Sequence, residues 1–285
     1  MKTVNARGVV FGEGRPKIMT SLCGSDAAGM IEQAQFAKKL PVDVLEWRID
    51  FLDEAYDVDS IVDCGQKLRA AVGDDTPILM TFRTAKEGGE KPVEPEVYAD
   101  INIALAESGI VDLIDVEAFT GDEVVERIIS AAHAAGVFVI ASNHDFEKTP
   151  PKEEIVSRLC KMQDQGADIL KIALMPQCRA DVLTLMDATR DMFENHTEHP
   201  LITMSMGGMG VVSRLAGESY GSAATFGAAA QASAPGQVGI ADLAQVLPGG
   251  YHNVCHDHTV GPHPAIGYIR KAIHTPAEYR DQQQR

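Results

Sequence analysis

The stretch DILKIALM, residues 168–175, places Lys171 in the middle of a short apolar run that predicts a buried β-strand. Because side chains alternate between the two faces of a strand, Lys171 shares its face with Ile169 and Ala173. Both faces are apolar, which is typical of a parallel sheet covered on both sides. A strand-end lysine whose charged head reaches water is the alternative. If it is buried, the ammonium form is disfavoured, and a neutral amine is a nucleophile for carbonyl groups.

Similar apolar runs recur along the chain and alternate with helix-patterned segments. The predicted strands are PKIMTSLC (16–23), VDVLEWRI (42–49), PILMTFR (77–83), IVDLIDVEAF (110–119), VFVIASNH (137–144), DILKIALM (168–175), LITMSM (201–206) and SAATF (222–226). Eight alternations of strand and helix predict an α/β fold of the (β/α)8 TIM barrel type. The first fifteen residues, which contain GVVFGEG (8–14), predict an N-terminal hairpin that closes the barrel floor. An open doubly wound sheet competes with this fold, but no GxGxxG turn follows the first strand.

Composition narrows the classes of function. The 285 residues carry a formal net charge of -16, which argues against nucleic acid or an anionic membrane as a partner. The five cysteines are scattered and form no CxxC pair, so neither a disulfide framework nor a zinc ribbon is indicated. No apolar run is long enough to span a bilayer, and the first residues lack a secretion signal. We therefore expect a cytoplasmic protein.

The ends of the predicted strands are unusually polar, and in a TIM barrel the active site lies at the carboxyl ends of the strands. The polar residues there are Glu46, Arg48, Asp50, Arg83, Glu87, Asp115, Glu117, His144, Lys171 and Arg214. Glu46 with Arg48, or Asp115 with an arginine, could equally be structural ion pairs. Lys171 and His144, however, lie on adjacent strands, and neighbouring strands are about 4.8 Å apart, so both can reach one substrate.

Seven segments carry a family resemblance. They are EWRID (46–50), TFRTAKEGGE (81–90), SNHDFEKTP (142–150), LKIALMPQ (170–177), TMSMG (203–207), VSRLAGE (212–218) and GSAATFGAAAQASAPGQ (221–237). In this order and spacing the chain resembles the type I 3-dehydroquinate dehydratases over roughly residues 1–247. The resemblance implies a homodimeric (β/α)8 enzyme of the shikimate pathway, which removes water from 3-dehydroquinate to give 3-dehydroshikimate. It also implies that neither a metal nor an organic cofactor is needed.

The resemblance assigns roles to individual residues. Lys171 matches the lysine that forms an imine with the substrate ketone, His144 matches the general acid and base, and Glu87 matches the carboxylate that orients the histidine. Arg214 matches the arginine that binds the substrate carboxylate. The residues implied in substrate binding are Ser21, Glu46, Arg48, Arg83, Met204, Met206, Arg214, Phe226, Ser233 and Gln237.

The segment GAAAQASAPGQVG, residues 227–239, follows the last predicted strand and therefore lies over the mouth of the barrel. Small residues dominate this segment, which we call the lid segment, and glycines allow its backbone to change at little steric cost. Given the resemblance, we expect Ser233 and Gln237 to keep the lid segment closed by hydrogen bonds to the bound substrate. Without the resemblance, a plain surface turn stiffened by Pro235 fits the same residues.

Two other functions fit part of the pattern. A class I aldolase would use Lys171 in the same way, with Gly207, Gly208 and Gly210 as a phosphate cradle. A barrel without catalytic activity could keep the pocket as a binding module. Arg214 and the segment SAPGQ (233–237) fit the dehydratase better than the aldolase. The binding module is disfavoured because no position of the proposed catalytic set has been lost.

The chain departs from the family at its end. We expect a catalytic barrel over residues 1–250 and a C-terminal extension of unknown role over residues 251–285. The extension contains His252, Cys255, His256, His258 and His263, but their spacing matches no standard metal site. We therefore predict no metal centre.

Overall fold

Eleven strands and eight α-helices follow one another in a computed structural model that describes residues 2–230 and 232–247. The strands are β1 Val4–Ala6, β2 Val9–Phe11, β3 Lys17–Leu22, β4 Val44–Arg48, β5 Ile78–Thr81, β6 Leu113–Glu117, β7 Phe138–Asp145, β8 Ile169–Leu174, β9 Leu201–Ser205, β10 Ala224–Ala228 and β11 Val238–Gly239. The helices are α1 Ala27–Ala37, α2 Val58–Val72, α3 Pro95–Glu107, α4 Asp122–Ala134, α5 Lys152–Asp164, α6 Arg179–Asp191, α7 Val211–Leu215 and α8 Ile240–Val246.

The strands β3 to β10 form a closed parallel barrel. They belong to one nine-stranded sheet in the order β11-β10-β3-β4-β5-β6-β7-β8-β9. The two ends of this order meet where the Ala223 N–H donates to the Leu201 carbonyl at 2.6 Å, next to a parallel bridge between Leu201 and Ser222. The predicted (β/α)8 barrel is confirmed, and the open doubly wound sheet is wrong.

The alternation predicted for β8 is confirmed. Ile169 and Ala173 lie in the apolar cluster inside the barrel, whereas Leu170 and Ile172 pack against the surrounding helices. Lys171 lies on the inner face and is only 3% exposed. The alternative of a strand-end lysine reaching water is therefore wrong.

The N-terminal hairpin closes the floor of the barrel, as predicted. Strands β1 and β2 pair antiparallel. Phe11, at the end of β2, is fully buried in the same cluster as Val44, Leu79 and Ile202, which lie at the amino ends of their strands or one position further along. The apolar ring inserts into the lower end of the barrel and removes this surface from water, which stabilises the fold.

The bounds of the strands differ from the prediction at several ends. Residues 110–119 were predicted as one strand, but β6 covers only Leu113–Glu117. The prediction began too early because Ile110 and Val111 are apolar and buried although they lie in the connection before the strand. The last barrel strand begins at Ala224 rather than at residue 222. Hydrophobicity reports burial, and burial continues beyond the residues that pair in the sheet.

Helix α8 is the last described element and buries Ile240, Leu243 and Val246. The extension over residues 251–285, with its histidines and Cys255, lies outside the described residues. Among the helices of the described part, none combines the length and the apolar composition that crossing a membrane requires.

Candidate active site

The carboxyl ends of the barrel strands surround one cleft of about 520 Å³, counting its open mouth. Every residue to which the resemblance assigns a role lines this cleft, whereas Asp50, Asp115 and Glu117 are buried behind it. The residues with an assigned role are Ser21, Glu46, Arg48, Arg83, Glu87, His144, Lys171, Met204, Met206, Arg214, Phe226, Ser233 and Gln237. Parallel strands explain the convergence, because all their carboxyl ends lie at one end of the barrel.

Four lining residues were not predicted for the site. They are Gly88, Phe146, Ala173 and Ala234. Ala173 follows from the alternation in β8, since it shares the inner face with Lys171. Phe146 lies two positions after His144 in the segment SNHDFEKTP (142–150), and its ring packs where a side chain at Gly88 would lie. This contact between two loops left no signal in the sequence.

Lys171 is buried among groups that stabilise a cation. Its Nζ donates a hydrogen bond to Oδ2 of Asp115 at 2.8 Å and lies 3.9 Å from Oε1 of Glu46. The same atom lies 4.8 Å from the centre of the Phe226 ring, within range of a cation–π contact. A charge in this position is tolerated only because carboxylates compensate it.

Asp115 connects the lysine to Arg83. Its Oδ1 accepts a hydrogen bond from Nη2 of Arg83 at 2.6 Å, and Nη1 of Arg83 donates to Glu117 and to Ser142, each at 3.0 Å. Burial alone would raise the pKa of Asp115, but the charges of Arg83 and Lys171 hold that pKa below its ordinary value. The structural ion pair suggested for Asp115 is confirmed, and Asp115 also serves Lys171, which sequence reasoning missed.

Glu87 and His144 form a buried carboxylate–imidazole pair. Oε2 of Glu87 lies 2.9 Å from Nδ1 of His144 and accepts the backbone N–H of His144 at 2.8 Å. Burial, with Glu117 nearby, raises the pKa of Glu87 to about 8. Burial, with the cations Arg83 and Lys171, lowers the pKa of His144 well below its ordinary value. Burial therefore favours the protonation state in which Glu87 and His144 share a single proton over the state in which both groups are charged.

Glu46 and Arg48 do not pair with each other, so the ion pair considered for them is wrong. Arg48 forms a two-pronged pair with Asp50, at 2.8 and 2.7 Å. Glu46 instead accepts hydrogen bonds from the hydroxyls of Ser21 and Thr81. Both side chains line the cleft, but the guanidinium of Arg48 is taken up by Asp50, two residues further along the chain.

Arg214 differs from the other arginines of the cleft. It is 2% exposed, and burial lowers its pKa to about 10. Its guanidinium contacts Sδ of Met204 at 3.4 Å and the carbonyl of Pro235 at 3.3 Å, and its Nε has no hydrogen-bond partner among the described residues. None of the carboxylates that the structure describes forms an ion pair with it. A planar guanidinium whose donors are not used by a carboxylate favours the binding of an anion with two acceptor oxygens.

The lid segment lies against the cleft. Ser233 donates a hydrogen bond to Oγ of Ser21 at 2.8 Å, and Nε2 of Gln237 donates to Oγ of Ser233 at 3.0 Å. Gly236 has a φ of +77°, and a Cβ there would lie 2.2 Å from the carbonyl oxygen of Gly207. Only glycine allows this close approach of two backbones.

The (β/α)8 barrel brings into one cleft a buried lysine, an imidazole–carboxylate pair and an arginine that pairs with no described carboxylate, which is an arrangement typical of an enzyme. A family model described as type I 3-dehydroquinase matches residues 18–252. The chain therefore belongs to the type I 3-dehydroquinase family, and it is a hydro-lyase.

Similar proteins agree with this assignment. The 3-dehydroquinate dehydratase of Salmonella typhimurium is 51% identical over 247 residues, which cover 87% of this chain and 98% of that protein. The crystal structure of the type I 3-dehydroquinate dehydratase from Clostridium difficile, with covalently modified comenic acid, is 48% identical and superposes with a TM-score of 0.84, covering 87% and 97% of the two chains. The 3-dehydroquinate dehydratase structure from Enterococcus faecalis is 38% identical, with a TM-score of 0.80 and coverage of 86% and 98%.

Proposed function

We propose that the chain converts 3-dehydroquinate to 3-dehydroshikimate and water through an imine on Lys171, as a step of aromatic amino-acid biosynthesis in the shikimate pathway. One observation supports this function above the others. The buried amine of Lys171 lies beside two carboxylates, and the wall of the same cleft carries Arg214, which has no anionic partner among the residues that the structure describes. A ketone that also bears a carboxylate satisfies both features.

Lys171 supplies the electron sink. Once its ammonium has lost a proton, the amine attacks the ketone carbon, and loss of water gives a protonated imine. The positive charge of this imine replaces that of the ammonium, so Asp115 and Glu46 compensate it without rearrangement. Removal of the adjacent proton then gives a neutral enamine rather than an enolate in a buried site.

His144 moves the proton. With Nδ1 hydrogen-bonded to Glu87, the ring directs Nε2 toward the cleft as the acceptor of the proton next to the imine. The imidazolium then gives its proton to the departing hydroxyl, which leaves as water. Hydrolysis of the product imine returns Lys171 to its free form.

Substrate binding is divided among the remaining residues. The donors of Arg83 and Arg48 are largely occupied by carboxylates, so Arg214 binds the substrate carboxylate. The hydroxyl groups of the substrate contact polar side chains, and the imine lies against an apolar wall. The polar side chains are Ser21, Glu46, Arg48, Arg83, Ser233 and Gln237, and the wall is formed by Met204, Met206 and Phe226.

The aldolase alternative lacks its phosphate cradle. The N–H of Gly207 already donates to the carbonyl of Pro235, and the N–H of Gly210 donates to the carbonyl of Gly207, each at 3.2 Å.

The experiment that tests the function is an ultraviolet assay. Absorbance of the conjugated product should rise when 3-dehydroquinate is added and stay flat with sugar phosphates. No change with 3-dehydroquinate would overturn the proposed function.

We further propose the location, the oligomeric state and the cofactor requirement of the enzyme. The net charge of -16 and the scattered cysteines support a cytoplasmic protein, and the family resemblance supports a homodimer that uses neither a metal nor an organic cofactor. A molar mass by light scattering that equals the mass of one chain would contradict the dimer. Loss of activity after treatment with a chelator would contradict the metal-free reaction.

A further inference from the structure

Asn143 is a polar residue on a side of β7 where apolar residues are expected. Ser142 and His144, its neighbours in the strand, point to the inner face and the cleft, so Asn143 faces the helices. The other residues on its side, Val139 and Ala141, are apolar and fully buried, as is typical of parallel strands. Asn143 itself is 8% exposed and does not line the cleft. A buried amide in this position needs specific hydrogen-bond partners.

The partners of Asn143 join the outer helices to the Glu87–His144 pair. Its Nδ2 donates to Oε1 of Glu87 at 3.0 Å, and its Oδ1 accepts from Nη1 of Arg158, on α5, at 3.0 Å. The second oxygen of Glu87 accepts from His144. Arg158, Asn143, Glu87 and His144 therefore form one continuous line of hydrogen bonds.

The chemistry of the two ends fixes the orientation of the amide. A guanidinium can only donate, and Glu87 in its ionised form can only accept. The amide oxygen must therefore face Arg158, and the amide nitrogen must face Glu87. In the flipped orientation, both contacts would set like partners against each other.

We propose that Asn143, held in place by Arg158, is a positioning residue for the acid–base pair. By occupying Oε1 of Glu87, it leaves Oε2 directed at His144, and it favours the charged carboxylate that the imidazole needs as its partner. The role of Asn143 rests on the proposed function of this pair.

Several charged groups surround the same pair, so the contribution of Asn143 must be separated from theirs. Those that face Glu87 and His144 are Arg48, Arg83, Asp115, Glu117 and Lys171. Those that face Arg158 are Asp145 and Glu154. Burial raises the pKa of Glu87, and the hydrogen bond from Asn143 opposes that rise. When this bond is lost, the pair keeps its proton to higher pH.

The test combines kinetics with a measurement that does not depend on activity. Asn143→Leu keeps the shape and removes both hydrogen bonds. We expect kcat to fall roughly 10-fold to 100-fold with little change in KM, because one hydrogen bond to a charged group is lost. The acidic limb of kcat/KM should move up by about one pH unit. Nuclear magnetic resonance of the labelled His144 ring should show the same upward shift without substrate, so it tests Asn143 even if the proposed function fails.

Arg158→Met should shift the limb in the same direction by a smaller amount, and the double variant should be no worse than Asn143→Leu alone. Arg158→Lys, which keeps a charged donor, should restore part of the loss. Lys161→Met is the matched control, because Lys161 lines one surface groove with Asn143 and Arg158 but forms no hydrogen bond to Asn143, and it should leave the limb in place. An unchanged limb and an unchanged His144 titration in Asn143→Leu would overturn the proposal. Should that variant not fold, an unchanged limb in Arg158→Met would overturn it.

Discussion

Glu87 holds His144 by two contacts at once, because a single carboxylate oxygen lies 2.9 Å from the ring nitrogen Nδ1 and 2.8 Å from the backbone nitrogen of the same residue. The ring and the end of β7 are therefore fixed by one group. Arg83 lies 3.6 Å from this oxygen and belongs to the network that also contains Asp115 and Lys171. The acid–base pair and the imine-forming lysine are thus parts of one buried electrostatic system.

The pH dependence of catalysis should follow from this pair. Burial raises the pKa of Glu87 to about 8, and the pair acts as a base only after its shared proton has left. We therefore expect kcat/KM to rise as the pH rises through about 8 and to level off above it. Glu87→Gln cannot become a carboxylate, so kcat should fall roughly 100-fold or more and the rise should disappear. A pH profile of Glu87→Gln that keeps the same limb would assign the limb to another group.

Arg214 should show opposite effects on stability and on activity. Arg214→Met removes a buried cation that has no carboxylate partner in the described structure, so the free energy of unfolding should increase by about 1–3 kcal/mol. The same change should lower kcat/KM roughly 100-fold or more, because the substrate carboxylate loses its partner. Urea unfolding and steady-state kinetics measure the two effects.

Arg83→Met is the control for that experiment. It leaves the buried carboxylates Asp115 and Glu117 without their cation, so it should lower the free energy of unfolding by about 3–5 kcal/mol. If Arg214→Met is destabilised to the same degree, Arg214 is a structural residue rather than a site prepared for an anion.

The lid segment should become more ordered when ligand binds. Hydrogen exchange across residues 229–238 should slow when substrate or product is present, because Ser233 and Gln237 then bind the ligand as well as each other. Gly236→Ala should prevent this closure and lower kcat/KM roughly 10-fold to 100-fold, since its Cβ would meet the backbone of Gly207.

A matched control for the lid variant is Gly73→Ala. Gly73 has a similar φ of +81°, but a Cβ there meets no atom within 4 Å. This variant should lose some stability from backbone strain and keep its activity. Equal exchange in the free and bound protein would leave the lid segment without a role in binding.

The catalytic unit should be complete without the C-terminal extension. A chain that ends after Gly250 should fold and keep its activity, since α8 is retained. Its free energy of unfolding should differ from that of the full chain by no more than about 1 kcal/mol. A chain that ends after Gly239 loses α8 and its buried residues, so it should be insoluble or unfolded. Circular dichroism and the ultraviolet assay distinguish the two. Inactivity of the longer chain would show that the extension belongs to the working enzyme.

The sequence was sufficient for the barrel and for the composition of the cleft. Alternation in β8 placed Lys171 on the inner face, and parallel strands brought His144 and Arg214 to the same end. The functional roles came from the resemblance, because position on a strand end does not distinguish a base from an ion-pair partner. The structure places these residues together, and their roles stay predictions.

The pairing of the charged residues could not be read from the sequence. Glu46 on β4 and Asp115 and Glu117 on β6 lie on the inner side of the barrel, and which of them is nearest to Lys171 depends on side-chain length and on the stagger of the strands. Asp115 is that carboxylate. The contact between Asn143 and Arg158 depends on the rotation of α5 about its axis, which a periodic pattern leaves uncertain by a residue or more. The predicted bounds of β6 were wrong for a related reason, since buried residues and residues that pair in the sheet do not coincide.

The most direct measurement is reduction with borohydride in the presence of 3-dehydroquinate, followed by peptide mass mapping. Borohydride converts an imine to a stable amine, so Lys171 should carry a covalent adduct of the substrate or product. His144→Ala should still form this adduct while turning over very slowly, because imine formation and proton transfer belong to different residues. Lys171→Ala should form none. An adduct on another lysine, or no adduct in the active wild-type enzyme, would contradict the imine mechanism.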